Sequence, residues 1–196
     1  MAHKTAEKRA IIIHCWGGYP RYCWYQKTKK ELERLGFKVA VPRMPQTGAP
    51  NLSRWLPKLK RVVGLPDEQL VLIGHSIGCA TIFRYLESLR GSARVCGIVL
   101  VAGFTNDLGF KELKSFFTKP FAFKRIRSRA KYFTAIYSDN DPFVPVWHAG
   151  VLRKKLGARV IKKHAMGHFS GAGDGEKACV SLPDVARVIK VMKVRS

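Results

Sequence analysis

Residues 71–80 read VLIGHSIGCA and place Ser76 between two glycines, Gly74-His75-Ser76-Ile77-Gly78. Apolar residues lead into this stretch and a helical pattern, ATIFRYLESLR, leads out. A serine hydroxyl is a weak nucleophile until a base takes its proton and nearby donors stabilise the oxyanion that forms. G-x-S-x-G between a strand and a helix meets both needs mechanically. The strand stops abruptly, the serine sits on a sharp turn, and the glycines remove the Cβ atoms where strand and helix approach. The amide of Ile77, at the start of the helix, then faces developing negative charge. The same pattern also occurs by chance in ordinary strand-to-helix connections, so the rest of the chain must supply the partners.

Working outward, apolar runs rich in β-branched residues alternate with longer amphipathic stretches. Strands are expected at Arg9–Cys15, Lys38–Pro42, Gln69–Gly74, Val95–Ala102, Tyr132–Ser138 and Arg159–Lys163. Their nearly continuous apolar character suits a parallel sheet covered on both faces. Helices are expected at Trp24–Leu35, Leu52–Val63, Ile77–Leu89, Trp147–Leu156 and Pro183–Val194, with Gly36 and Gly157 as stop signals. Alternating β and α units predict a three-layer α/β/α fold with a mainly parallel six-stranded sheet, as one domain spanning 1–196. The rhythm breaks at about 103–130, which is dense in phenylalanine and lysine. Two short helices over the C-terminal edge of the sheet would fill it. Phe104, Phe110, Phe116, Phe117, Phe121 and Phe123 would then partly line a pocket, with Phe104, Phe116 and Phe117 the leading candidates, although packing alone accounts for such rings at least as well.

The partners of Ser76 are expected in the order acid, then histidine. The strand ending at Ser138 runs into SDNDPFVP, which offers Asp139 and Asp141, and the last strand runs into HAMGHFSG, which offers His168. Both loops leave the edge where ligands bind in open α/β sheets. His168 is the candidate general base. Asp141, before the PFVP turn, is the preferred acid; Asp139 suits backbone bonds in the turn, and Asp107 leaves the same edge. His164 is expected in packing near the strand end, while His75 and His148 are expected to be structural. The loop after the first strand, HCWGGYPRYCWY, offers the Trp16 amide as second oxyanion donor, with His14 and Trp24 shaping the rim. Gly17-Gly18 lacks the spacing of a nucleotide-binding loop.

Composition narrows the class. The chain has 196 residues, 46% hydrophobic and 25% charged, in keeping with one globular domain. Its apolar runs are too short to cross a bilayer or form a signal-peptide core, so a cytoplasmic protein without membrane insertion is expected. Five cysteines without zinc spacing predict free thiols and no metal site. Thirty-six Lys and Arg against thirteen Asp and Glu give a net charge of +23. Such a field attracts polyanions, but the cations are dispersed along the chain and no nucleic-acid motif is visible. Weak, non-specific polyanion contact is the expectation.

Taken together, IIIHCWGGYPRYCWY, LGFKVAVPRMPQTGAPNLSRWL, GHSIGCATIFRYLE, VLVAGFTNDLG, SDNDPFVP and GHF resemble the small α/β-hydrolases of the retinoblastoma-binding-protein-9 type. The resemblance runs from about Arg9 to Phe169. It implies a compact α/β-hydrolase fold and a catalytic triad of Ser76, Asp141 and His168. It also implies cofactor-independent hydrolysis of small esters, including amino-acyl esters or amides; a monomer or homodimer is expected. Cys15 stands where many relatives have glycine, and the Leu-x-Cys-x-Glu peptide tied to pocket-protein binding is absent. The competing reading is a binding module on a hydrolase scaffold, contacting an anionic polymer with little catalysis.

Overall fold

The structure is a computed structural model that describes residues 7–171 and 177–194. Six strands form one parallel sheet: β1 Arg9–Ile13, β2 Lys38–Ala40, β3 Leu70–His75, β4 Val95–Val101, β5 Ala130–Ser138 and β6 Arg159–Lys163. Their order across the sheet is β2-β1-β3-β4-β5-β6, so the fold winds outward in both directions from β1 and β3. Every residue of β3 and β4 is buried, which is why these segments read as unbroken apolar runs.

Helices cover both faces. On one side α1 (Tyr25–Arg34) and α6 (Pro183–Lys190) bury Trp24, Tyr25, Leu32, Val185 and Ile189 against the sheet. On the other, α2 (Leu52–Val63), α3 (Ile77–Ser88), α4 (Phe123–Arg127) and α5 (Trp147–Leu156) share a core with Trp55, Phe83 and Leu152. Full burial of such side chains is worth roughly 1.5–3 kcal/mol each. The expected helices and strands are present with small shifts at their ends. β1 stops at Ile13 rather than Cys15 because the Cys15 amide leaves the ladder and donates to the Tyr25 hydroxyl at 3.1 Å. α6 ends at Lys190, where Val191 turns outward, 69% exposed.

The phenylalanine-rich stretch folds as two short helical pieces, a 3-10 turn at Lys111–Phe116 and α4. However, α4 does not lie over the C-terminal edge as expected: it packs by the end of α3, where Arg125 reaches the Leu89 carbonyl at 2.6 Å. A buried arginine fastens the stretch to α3. Arg84 is 4% exposed, donates from Nε to the Phe116 carbonyl at 2.8 Å and from Nη2 to that of Lys119, and lies over the Phe121 ring. Its other arm pairs with Glu87, whose second oxygen accepts the Ala122 amide at 2.6 Å.

Two glycines allow α3 to start where it does. A Cβ on Gly74 would meet the backbone of Cys79 at 2.8 Å, and one on Gly78 would run into the Ile13 carbonyl. Gly150 in α5 is the opposite case, since nothing lies within 4 Å of an added Cβ. Gly78→Ala is therefore expected to cost about 1–3 kcal/mol through overpacking, while Gly150→Ala gains up to about 1 kcal/mol from helix propensity. Thermal unfolding of the two variants checks this: the first should melt several degrees lower and the second slightly higher. Equal shifts would contradict the close approach at Gly78.

Candidate active site

Ser76 sits between β3 and α3 with φ of +54°, a backbone conformation that side chains rarely adopt. Strain of this kind costs about 1–3 kcal/mol and persists only where the surroundings hold it. Here the Ser76 amide donates to the Val101 carbonyl at 2.9 Å, and the Ser76 carbonyl accepts the Cys79 amide at 2.9 Å. The side chain is lifted above the sheet edge, beside the first amides of α3. Those amides have no intrahelical carbonyl to pair with, and the first of them belongs to Ile77.

Ser76, His168 and Asp141 form one hydrogen-bonded chain. Ser76 Oγ lies 2.9 Å from His168 Nε2, and His168 Nδ1 lies 2.9 and 3.0 Å from the two oxygens of Asp141. The Asp141 carboxylate is 1% exposed and also accepts the amides of Phe143 and Val144, each at 2.9 Å. Asp107 is engaged elsewhere, its carboxylate capping its own turn by accepting the Gly109 amide at 3.1 Å.

Asp139 belongs to a different arrangement. The four residues Ser138 to Asp141 bind four successive positions of the histidine loop. Ser138 Oγ accepts the Met166 amide at 2.9 Å, Asp139 the Ala165 amide at 2.9 Å, and Asn140 Oδ1 the Gly167 amide at 2.8 Å. Asp141 then holds His168. Backbone and His164 hydrogen bonds keep the Asp139 carboxyl below the usual carboxylate range. His164 itself is a surface group bonded to Asp139 at 2.9 Å with its side chain 91% exposed, not the packed residue expected.

A buried relay joins this loop to the one after β1. The Cys15 amide donates to Tyr25 Oη, which lies 2.7 Å from His75 Nδ1; His75 Nε2 lies 2.8 Å from the His168 carbonyl. Because Tyr25 Oη accepts from Cys15, its single proton goes to Nδ1, and neutral His75 donates from Nε2. Burial, then the neighbouring His168, hold the His75 pKa well below the ordinary value, which preserves that tautomer. His14 is likewise buried, its pKa lowered by burial. Nε2 accepts the Met44 amide at 3.0 Å and Nδ1 donates to the Cys15 carbonyl at 2.8 Å.

Beside Ser76 opens a cavity of about 290 Å³. It is lined by Cys15, Trp16, Phe104, Leu108, Phe110, Leu113, Phe143 and Val144, together with Ser76, His168 and Ser170. Of the expected pocket residues, Phe104 and Phe110 line it. The others do not, Phe121 and Phe123 packing on Phe83. His14 is spent on the backbone bonds just described. Trp24 is fully buried under α1, against Tyr25 and His75. Phe116 packs on Trp55, and Phe117 stacks behind Phe104. The residues that sequence reasoning missed, Leu108, Leu113 and Val144 among them, are ordinary aliphatics. Only Phe143, two residues after Asp141, carried a positional signal. Trp16 is pinned at the rim, with Nε1 donating to the Gly48 carbonyl at 2.9 Å and Gly17 bonded to Thr47 at 2.8 Å.

The relay is open to a direct check. Tyr25→Phe leaves the Cys15 amide and His75 Nδ1 without their partner, a loss of about 1–3 kcal/mol. Hydrogen exchange should speed up both around Cys15 and around His168, two segments far apart in sequence. Faster exchange around Cys15 alone would contradict the coupling.

The serine hydrolase family model matches residues 10–180. YdeN of Bacillus subtilis, named as a hydrolase, is 31% identical over 183 residues, which cover 93% of this chain and 94% of that one. Its crystal structure superposes with a TM-score of 0.86, covering 93% and 96% of the two chains. Serine hydrolase RBBP9 of Rattus norvegicus is 28% identical over 189 residues, 94% and 95% of the two chains. Est1E of Butyrivibrio proteoclasticus shares 15% identity at a TM-score of 0.69 over 96% and 87% of the chains, a likeness of fold alone. The match over residues 10–180 makes this chain a member of the serine hydrolase family, built on the α/β-hydrolase fold.

Proposed function

We propose that this hydrolase cleaves small, uncharged carboxylic esters through an acyl-enzyme on Ser76. The observation that carries the reading is the unbroken chain from Ser76 Oγ through His168 to the buried Asp141 carboxylate. His168 Nε2 takes the Ser76 proton as Oγ attacks the acyl carbon, then returns it to the departing alkoxide oxygen. Asp141 holds the Nδ1 proton and offsets the imidazolium charge. The amides of Ile77 and Trp16 donate to the oxyanion. Water, deprotonated by His168, then attacks the acyl carbon, and Oγ recovers the proton as the carboxylic acid leaves. None of these steps calls on a cofactor.

The cavity supports the substrate class. Among the described residues its walls are apolar or aromatic apart from Ser76, Ser170 and His168, and none of these lining residues is a carboxylate. Uncharged acyl groups of short to medium length suit these apolar walls. A cytoplasmic location and a single domain over 1–196 complete the reading.

Hydrolysis of p-nitrophenyl esters tests the assignment. Ser76→Ala is expected to lower kcat by about 10⁴ to 10⁶, and Asp141→Asn by about 10⁴. Asp139→Asn should have a much smaller effect, through loosening of the histidine loop. Full activity in folded Ser76→Ala would sink the mechanism; absence of activity in the wild type across acyl lengths would favour a binding module on this scaffold.

A further inference from the structure

Along the chain the basic residues are dispersed, yet the fold gathers many of them. β4, β5 and β6 run parallel and begin at Val95, Ala130 and Arg159, so the segments entering them share one edge of the sheet. The C-terminal ends of α3, α4 and α5 return to that same edge. Arg90 and Arg94 follow α3, three cations lie on α4, and three more fill the last turn of α5 just before Arg159.

These groups are contiguous. Arg125 donates to the Leu89 carbonyl at 2.6 Å and Arg129 to that of Ala93 at 3.2 Å, drawing the Arg90–Arg94 loop against α4. Arg127 reaches the other way, its Nη2 lying 3.7 Å from where a Gly157 Cβ would stand, at the cap of α5. Apart from half-buried Arg129, the cations on this edge are exposed. Among the described residues none of them has a carboxylate within 4 Å. The sequence holds no acidic residue from Leu113 to Ser138 or from Pro142 to Gly173. Among the described residues Glu68 is the one carboxylate lining the adjoining cleft, which Arg94, Lys131 and Lys193 also line.

A cation at a helix C-terminus is worth about 0.3–1 kcal/mol, but three in one turn repel each other. The helix dipole does not account for the accumulation. We propose that this edge docks the phosphate backbone of double-stranded nucleic acid without sequence preference. Arginine predominates here, and its guanidinium suits phosphate oxygens. The exposed aromatic residues, Tyr19, Phe110, Phe143 and Trp147, belong to segments at the opposite edge. At the docking edge Phe123 and Tyr132 are half-buried, with Lys131 over the Tyr132 ring at 5.2 Å. Among the described residues, therefore, no fully exposed ring there offers the stacking platform of single-strand binders or the aromatic anchors of a membrane-bound helix.

The cavity lies beyond the other end of the strands. The nine residues of β5 span about 30 Å, about three Debye lengths at 0.1 M salt. A bound duplex therefore leaves ester hydrolysis undisturbed.

Fluorescence anisotropy with two unrelated 20-base-pair DNA duplexes at 50 and 200 mM NaCl tests the proposal. With about five phosphates neutralised, affinity for both duplexes should fall about 500-fold between the two salt levels. The variant Arg125→Gln/Arg127→Gln/Lys154→Gln/Lys155→Gln should bind at least tenfold more weakly at 50 mM. A control with the same change in charge, Arg21→Gln/Lys27→Gln/Lys30→Gln/Arg43→Gln, should bind nearly as the wild type does. Hydrolysis of a neutral ester, measured in parallel, reports on folding and on the catalytic reading separately. No binding at 50 mM, equal losses in the two variants, selectivity between the duplexes, or tighter binding to phosphatidylserine vesicles at equal phosphate concentration would each overturn it.

Discussion

The close approach of α3 to the ends of β1 and β3 is the constraint on which the site depends. Gly78 meets the Ile13 carbonyl and Gly74 meets Cys79 with no room for a Cβ on either. That contact forces the chain to turn within one residue, and the residue at the turn is Ser76, at a positive φ. The serine is exposed to the cavity because the backbone on both sides of it is already committed. Its amide bonds to β4 and its carbonyl caps the new helix. Sheet, helix start and presented hydroxyl are thus one piece of geometry.

Around that turn the remaining groups are ordered by hydrogen bonds rather than by apolar packing. The Ser138–Asp141 segment grips the loop carrying His168 at four successive points. Tyr25 and His75 tie the same loop to the backbone at Cys15. The loop needs such support, because Ala165, Gly167 and Phe169 all adopt positive φ. The cavity, by contrast, is shaped by the insert, whose wall is held by Arg84 reaching across from α3.

Much of this is legible in the sequence, for physical reasons. Periodicity reveals strands and helices because burial on two faces or one leaves different patterns, and G-x-S-x-G identifies its turn because glycine is needed where no Cβ fits. The order of acid and histidine follows from the parallel sheet. The pocket was less legible. Phe116 and Phe117 carry the same side chain as Phe104, and only the course of the insert decides which ring faces the cavity and which packs behind it. Trp24 and His14 read as rim residues from position alone, but their burial depends on the path of the loop between them. The clustering of cations at the far edge is equally invisible along the chain. Arg90, Arg127 and Lys154 are distant in sequence and come together through the parallel return of each helix.

The central claim is that this geometry makes Ser76 a nucleophile, and covalent trapping tests it most directly. The wild-type protein, treated with a fluorophosphonate and digested, should carry the phosphonate on the peptide containing Ser76. His168→Ala should slow that labelling by orders of magnitude while the fold is retained. A phosphonate found on another residue, or labelling of Ser76 that proceeds equally fast without His168, would contradict the account.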